Sequence, residues 1–284
     1  MRQYRGIAVA KVSVEQALAK AKSHIKKGEL AEAQTLYATI LKAFPNNKKA
    51  QQALATLGGG QQSAAEQGPP QAVIDQLISL YNQGKLAVVV EQAKELTEQY
   101  PTSCVLWNIL GVANKGLNKI DEATNAFRKV TQLNPNYADG YSNLGVALGD
   151  QDQLDEAIRA YEKAINLQPN FHEAHNNMGT VLRRKGQLEQ AINSYKKAIS
   201  IKPNYIEAHN NLGVALAKKD NLREAIASYQ QALSLKPDYA EAYYNMGNTL
   251  KDQGKRDEAI EAYNKALATK PDYAEAYNNM GNTL

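Results

Sequence analysis

The chain reads as an all-α protein, an α-solenoid of helix pairs repeated at a fixed period. Three observations carry this reading. Pro101, Pro135, Pro169, Pro203, Pro237 and Pro271 fall 34 residues apart. Segment 172–205 is echoed by 206–239, from a shared Glu-Ala-His-Asn-Asn to a closing Lys-Pro-Asn/Asp-Tyr. Within each unit, apolar residues recur three and four apart in two runs split by a short polar turn, the pattern of two amphipathic helices. A period of this size marks a repeat architecture, in which each unit buries its apolar face by stacking on its neighbours.

Unit 138–171 shows the logic in order. Tyr141, Leu144 and Leu148 form the apolar stripe of the first helix. Asp150-Gln151-Asp152-Gln153 makes the turn. Leu154, Ala157, Ile158, Tyr161, Ala164 and Leu167 form the second stripe. Gly145, Ala157 and Ala164 are small enough for the two helices to approach closely. Pro169 stops the second helix and pushes the residue before it out of helical geometry. Asp139, Glu173, Glu207, Glu241 and Glu275 open their helices, where the macrodipole favours an anion.

This order of residues resembles the tetratricopeptide repeat, as Tyr243, Met246-Gly247, Ala259, Tyr263, Ala266 and Pro271 of unit 240–273 illustrate. The resemblance covers nearly the whole chain. It implies helix pairs stacked into a right-handed superhelix, with a concave face lined by the first helix of each pair.

Along the chain, residues 1–13 lie out of register and read as an N-terminal lead-in. Residues 14–57 form a divergent unit with an extra helix. Gly28, Leu30, Ala33, Tyr37 and Pro45 match, Ala21 stands where glycine is expected, and 48–57 supplies the capping helix. Residues 58–69 are rich in Gly, Gln and Ser and read as a flexible linker. The array follows over 70–284, as units 70–103, 104–137, 138–171, 172–205, 206–239 and 240–273 and an incomplete 274–284. In unit 70–103, Leu77 replaces the glycine and Val88-Val89-Val90 adds apolar load. Trp107 and Gly111 restore the pattern in the next. Segment 274–284 copies 240–250 with one difference, Asn278 for Tyr244, and reads as a first helix without its partner. The expectation is a fragment, or an array that continues.

Formal net charge is +4, too small to imply nucleic acid. Residues 1–57 hold ten Lys/Arg against three Asp/Glu, or +7, and the remainder is −3; a solvated basic helix face accounts for this better than an acidic partner. The single cysteine, Cys104, excludes internal disulfides and reads as structural. Residues 6–10 are too short for a signal core, and no stretch approaches the roughly 20 apolar residues of a membrane span. The expectation is a soluble cytoplasmic protein with no membrane partner. No phosphate loop, HExxH or nucleophile–base pair occurs, so no catalytic residue, cofactor or metal is expected. His175 and His209 hold the place of Tyr243 and Tyr277, and are packing residues by register.

Function is sought at recurring positions outside the packed stripe. Asn143, Asn177, Asn211, Asn245 and Asn279 recur every 34 residues. An amide carries two donors and an acceptor, so a row of them can grip a peptide backbone whatever its side chains. The row is similar to the asparagine ladder of the tetratricopeptide superhelix of O-GlcNAc transferase, and to those of kinesin light chain and chaperone-adaptor repeats. The resemblance implies extended-peptide binding at these five residues. The competing account is that the amides satisfy neighbouring backbone or interhelical contacts. Ile109 breaks the ladder in unit 104–137. Further along the same helices, Arg183, Arg184, Lys218 and Lys251 would favour an acidic segment or a carboxylate terminus if they face the groove. They depart from the two-lysine clamp of chaperone adaptors, and an exposed charged turn is the plainer account. The leading expectation is a protein-interaction scaffold with a protein or peptide partner. The alternative is the substrate-recruiting arm of a larger glycosyltransferase or sulfotransferase whose catalytic domain lies beyond Leu284. A third is self-association through the open end at 274–284.

Overall fold

The structure, a computed structural model, describes residues 2–58 and 68–283; the glycine-rich stretch lies mostly outside them. The chain divides into two compact units, residues 1–69 with 99–102, and residues 70–98 with 103–284. Every regular element among the described residues is an α-helix.

The first unit contains α1 (Arg2–Lys26), α2 (Leu30–Ala43) and α3 (Lys48–Gly58). Helix α1 runs through the position where the sequence register suggests that a lead-in ends. Leu18, Ala21, Ala33, Tyr37, Ile40 and Ala50 form its core. Ala21 lies against this core with no exposed surface, so a methyl is accommodated where other units carry glycine.

The second unit contains α4 (Gln71–Asn82) and α5 (Leu86–Gln99), then α6 (Cys104–Gly116) and α7 (Ile120–Leu133), then α8 (Ala138–Asp150) and α9 (Leu154–Leu167). It continues with α10 (His172–Arg184) and α11 (Leu188–Ile201), α12 (Ile206–Lys218) and α13 (Leu222–Leu235), α14 (Ala240–Asp252) and α15 (Arg256–Thr269), and α16 (Ala274–Gly281). It is an α-solenoid.

Two kinds of turn set the period. Inside each pair, one residue takes the left-handed conformation: Gly84, Asn118, Asp152, Gly186, Asp220 and Gly254, with φ between 58° and 81°. The next amide then reaches back five residues, as in Lys119 N–H to the Asn114 carbonyl and Gln153 N–H to the Leu148 carbonyl, both 2.9 Å. This closes the helix end and satisfies carbonyls that would otherwise be orphaned. Between pairs, the residue before each proline is extended. Gln168, Lys202 and Lys236 have φ of −136°, −129° and −138°, the geometry the proline ring imposes.

Packing inside each pair rests on one ring. A Cβ built on Gly111, Gly145, Gly179, Gly213 or Gly247 would sit 2.5 to 2.8 Å from a ring carbon of Phe127, Tyr161, Tyr195, Tyr229 or Tyr263. Those rings are at most 2% exposed. Unit 70–103 inverts the sizes, with buried Leu77 at the glycine register and buried Ala93 at the ring register. Volume is conserved while the bulk changes helix, which cores tolerate. Successive first helices from α4 to α14 also approach one another, and second helices do not to a comparable extent. The stack therefore curves towards its first helices, which line the inner face.

These turns and rings set the sign of three substitutions. Gly213→Ala lowers stability by about 1–3 kcal/mol, the cost of overpacking. Gly149→Ala, whose Cβ would meet nothing closer than 3.5 Å, raises it by up to about 1 kcal/mol through helix propensity. Asp220→Gly relieves the left-handed strain and is stabilising by up to about 1 kcal/mol. Urea denaturation followed by circular dichroism gives all three signs.

Candidate functional site: the inner groove

The ladder asparagines lie half-buried on the inner face, and the structure shows what their amides touch. Asn143 Nδ2 donates to Asn108 Oδ1 at 3.0 Å, Asn211 Nδ2 to Asn176 Oδ1 at 3.1 Å, and Asn245 Nδ2 to Asn210 Oδ1 at 3.1 Å. Each bond joins one first helix to the first helix before it. Asn279 Nδ2 donates to Tyr244 Oη at 3.0 Å and to Asn248 Oδ1 at 2.8 Å. Asn177 Oδ1 accepts from Asn176 Nδ2 at 3.3 Å. One N–H of Asn143, Asn211 and Asn245 is thus committed to the neighbouring repeat. The other N–H and Oδ1 of each bond to nothing else among the described residues. The acceptor sits one place before the ladder register, and the doubled Asn176-Asn177 and Asn210-Asn211 were the sequence signal for this clip.

Two charged rims flank the ladder. Asp139, Glu173, Glu207, Glu241 and Glu275 occupy the first turns of their helices. Burial first, then neighbouring carboxylates, push the phenols of Tyr205, Tyr239 and Tyr273 up to about 12. Arg183, Lys218 and Lys251 stand near the other ends of the same helices, ten or so residues away, about 15 Å along the axis.

The four predicted cationic contacts divide. Arg184 is engaged, donating to the Gly149 carbonyl at 2.7 Å and to Asp152 Oδ1 at 3.0 Å. It places positive charge at the negative end of α8. Arg183 Nε is buried without a hydrogen-bond partner among the described residues. Lys218 is exposed, Lys251 is half-buried, and neither forms an ion pair there. The cations one place beyond are consumed between repeats, Lys185 with Asp155 and Lys219 with Glu189.

His175 and His209 bond to the carbonyls of Pro169 and Pro203 at 3.1 and 2.8 Å. His175 is buried, and desolvation lowers its pKa below the ordinary 6.5. No cluster of metal-ligating side chains occurs among the described residues.

At the end of the groove where Ile109 interrupts the ladder lies an apolar depression of about 500 Å³. Ile78 and Tyr81 of α4 and Val105, Ile109 and Val112 of α6 line it, with Asn108 shared between the depression and the Asn143 clip. Ile78 is 45% and Val105 52% exposed. Cys104 lies at its edge, its thiol pKa raised by burial.

A TPR repeat model matches residues 116–152, 179–220, 218–254 and 247–284, just over half of the chain. Tetratricopeptide-repeat models also match 138–171, 160–193 and 17–47. The chain belongs to the tetratricopeptide-repeat family. Among solved structures it is similar to YrrB, described as a TPR protein with an unusual peptide-binding site, at 23% identity and TM-score 0.54, over 68% of this chain and 99% of that one. It is similar to MamA at 26% identity and TM-score 0.53, over 58% and 97%. PilF of Pseudomonas aeruginosa aligns at 18% identity and TM-score 0.64, over 75% and 96%. No curated protein sequence matches significantly. This TPR protein is, in general terms, a protein-interaction scaffold. No helix among the described residues is long and apolar enough to cross a membrane.

The TPR array yields a pH prediction. The folded state disfavours the His175 cation, so below pH 6.5 the unfolded state binds the extra proton and stability falls as pH drops. Above that pH the penalty vanishes. His175→Tyr, which installs the residue of neighbouring units, flattens the loss between pH 7 and 5, measured as the difference from wild type in urea midpoints. Arg184→Ala uncaps α8 and costs about 1 kcal/mol in the same assay.

Proposed function

We propose that the inner groove binds an extended peptide segment of a partner protein, with Asn143, Asn177, Asn211, Asn245 and Asn279 gripping its backbone. One observation carries this reading. The interhelical clip pins the Asn143, Asn211 and Asn245 amides in place while leaving each a free N–H and a free Oδ1. A peptide unit presents one donor and one acceptor, so a pinned amide meets it without further loss of rotamer freedom. First helices about 10 Å apart match about three extended residues per repeat. The likeness to YrrB at 23% identity bears on fold alone.

Charge refines the segment. Arg183, Lys218 and Lys251 are available to an acidic side chain or a terminal carboxylate on one rim. Arg184 is held by α8 and serves the fold. The opposite rim, lined by first-turn carboxylates, disfavours acidic residues. An extended strand alternates its side chains between the two sides, so acidic residues belong on the face towards Arg183.

The test is a titration of fluorescein-labelled synthetic peptides of about twelve residues, enough for four repeats. The triple variant Asn177→Ala, Asn211→Ala, Asn245→Ala weakens binding about tenfold or more, given about 0.5–1.5 kcal/mol per lost hydrogen bond. Helicity by circular dichroism stays near that of wild type. Unchanged affinity in the folded triple variant contradicts the assignment.

A further inference from the structure

We infer that the depression at Ile109 is an anchor pocket for one bulky apolar side chain of the same extended segment, set about six to nine residues from an acidic residue that meets Arg183 or Lys218. This rests on the peptide-groove reading and specifies its ligand.

The chemistry of the groove changes at α6 in two places at once. At the ladder register Ile109 replaces asparagine. At the first-turn register Val105 replaces the carboxylate that every following unit carries as Asp139, Glu173, Glu207, Glu241 or Glu275. Val105 is 52% exposed, and Ile78, across the depression on α4, is 45% exposed. The result is an uncharged concavity of about 500 Å³ on a face otherwise lined by amides and charged rims. That size suits an aromatic or large aliphatic side chain. A charged side chain entering it would be desolvated with no counter-charge among the lining residues.

Continuity with the ladder fixes the occupant as part of the same strand. Asn108 forms one wall and also accepts the Asn143 amide at 3.0 Å. A chain whose apolar residue fills the pocket meets Asn143 next, then Asn177, then Asn211. Arg183 lies two repeats from Ile109 and Lys218 three. At about three extended residues per repeat, these are about six and nine residues along the ligand. Arg183, half-buried and in no ion pair among the described residues, supplies the charge complementarity at that distance.

The variant Val105→Glu with Ile109→Asn installs residues that later units carry at the same registers, so it keeps the repeat's own rules of folding. The probes are labelled peptides of Gly, Ser and Thr with one Leu and an Asp pair about seven residues away, in both chain directions. They are compared with peptides in which Leu is Ser or the Asp pair is Lys. Wild type is expected to bind the Leu–Asp peptide about tenfold or more tighter than the Leu-less one. Val105→Glu with Ile109→Asn is expected to lose that preference and to bind the Leu-less peptide at least as tightly as wild type does. Equal affinity of wild type for both peptides overturns the anchor and leaves the groove standing. Binding of no peptide by the folded wild type overturns both. Concentration-dependent dimerisation abolished by the double variant assigns the pocket to a second copy and overturns the peptide anchor.

Discussion

A ring pressed against a missing side chain organises the array. In each pair from α6/α7 to α14/α15, a buried Phe or Tyr from the second helix occupies the space that a Cβ would take on the first. Burying such a ring contributes about 1.5–3 kcal/mol, and it does so only because a glycine lets the backbones close. The ring sets the distance within the pair, and the left-handed turn residue sets the reversal of direction. With those fixed, each first helix presents the same registers to the inner side. The asparagine ladder is a consequence of that regularity.

The ladder serves the fold and, on the proposed reading, the ligand as well. An asparagine has more hydrogen-bonding capacity than one neighbour consumes. The repeat spends one N–H on the preceding helix and keeps a donor and an acceptor facing the groove. The structural role of Asn143, Asn211 and Asn245 therefore leaves room for the proposed peptide contact. The same economy does not extend to the cations, where Arg184 is fully engaged with the end of α8 while Arg183, one residue earlier, has no partner for its Nε.

Much of the fold was legible because period and proline position are one-dimensional facts. Helix pairs, inner and outer helices, and the packing role of His175 follow from them. The turn residues were legible only as polar; that Asn118, Asp152 and Asp220 share a left-handed register with Gly84, Gly186 and Gly254 needs the backbone. The swap of Leu77 and Ala93 looked like a lost glycine, because the compensating residue lies sixteen places away on the other helix. In the groove, the five ladder asparagines were visible by recurrence, and their acceptors were hidden in the adjacent register. The apolar depression was hidden for the opposite reason. Ile109 reads only as a break in the ladder and Val105 passes unmarked, and only exposure turns such a departure from pattern into a candidate site.

The most direct test is to label the chain with ¹⁵N-asparagine and follow side-chain amide resonances while adding pooled synthetic peptides. The account predicts that the Nδ2 signals of Asn143, Asn177, Asn211, Asn245 and Asn279 shift together and saturate. Asn264, on the outer helix α15, should stay fixed. Shifts confined to turn or outer-face asparagines, with the ladder unmoved, would contradict it.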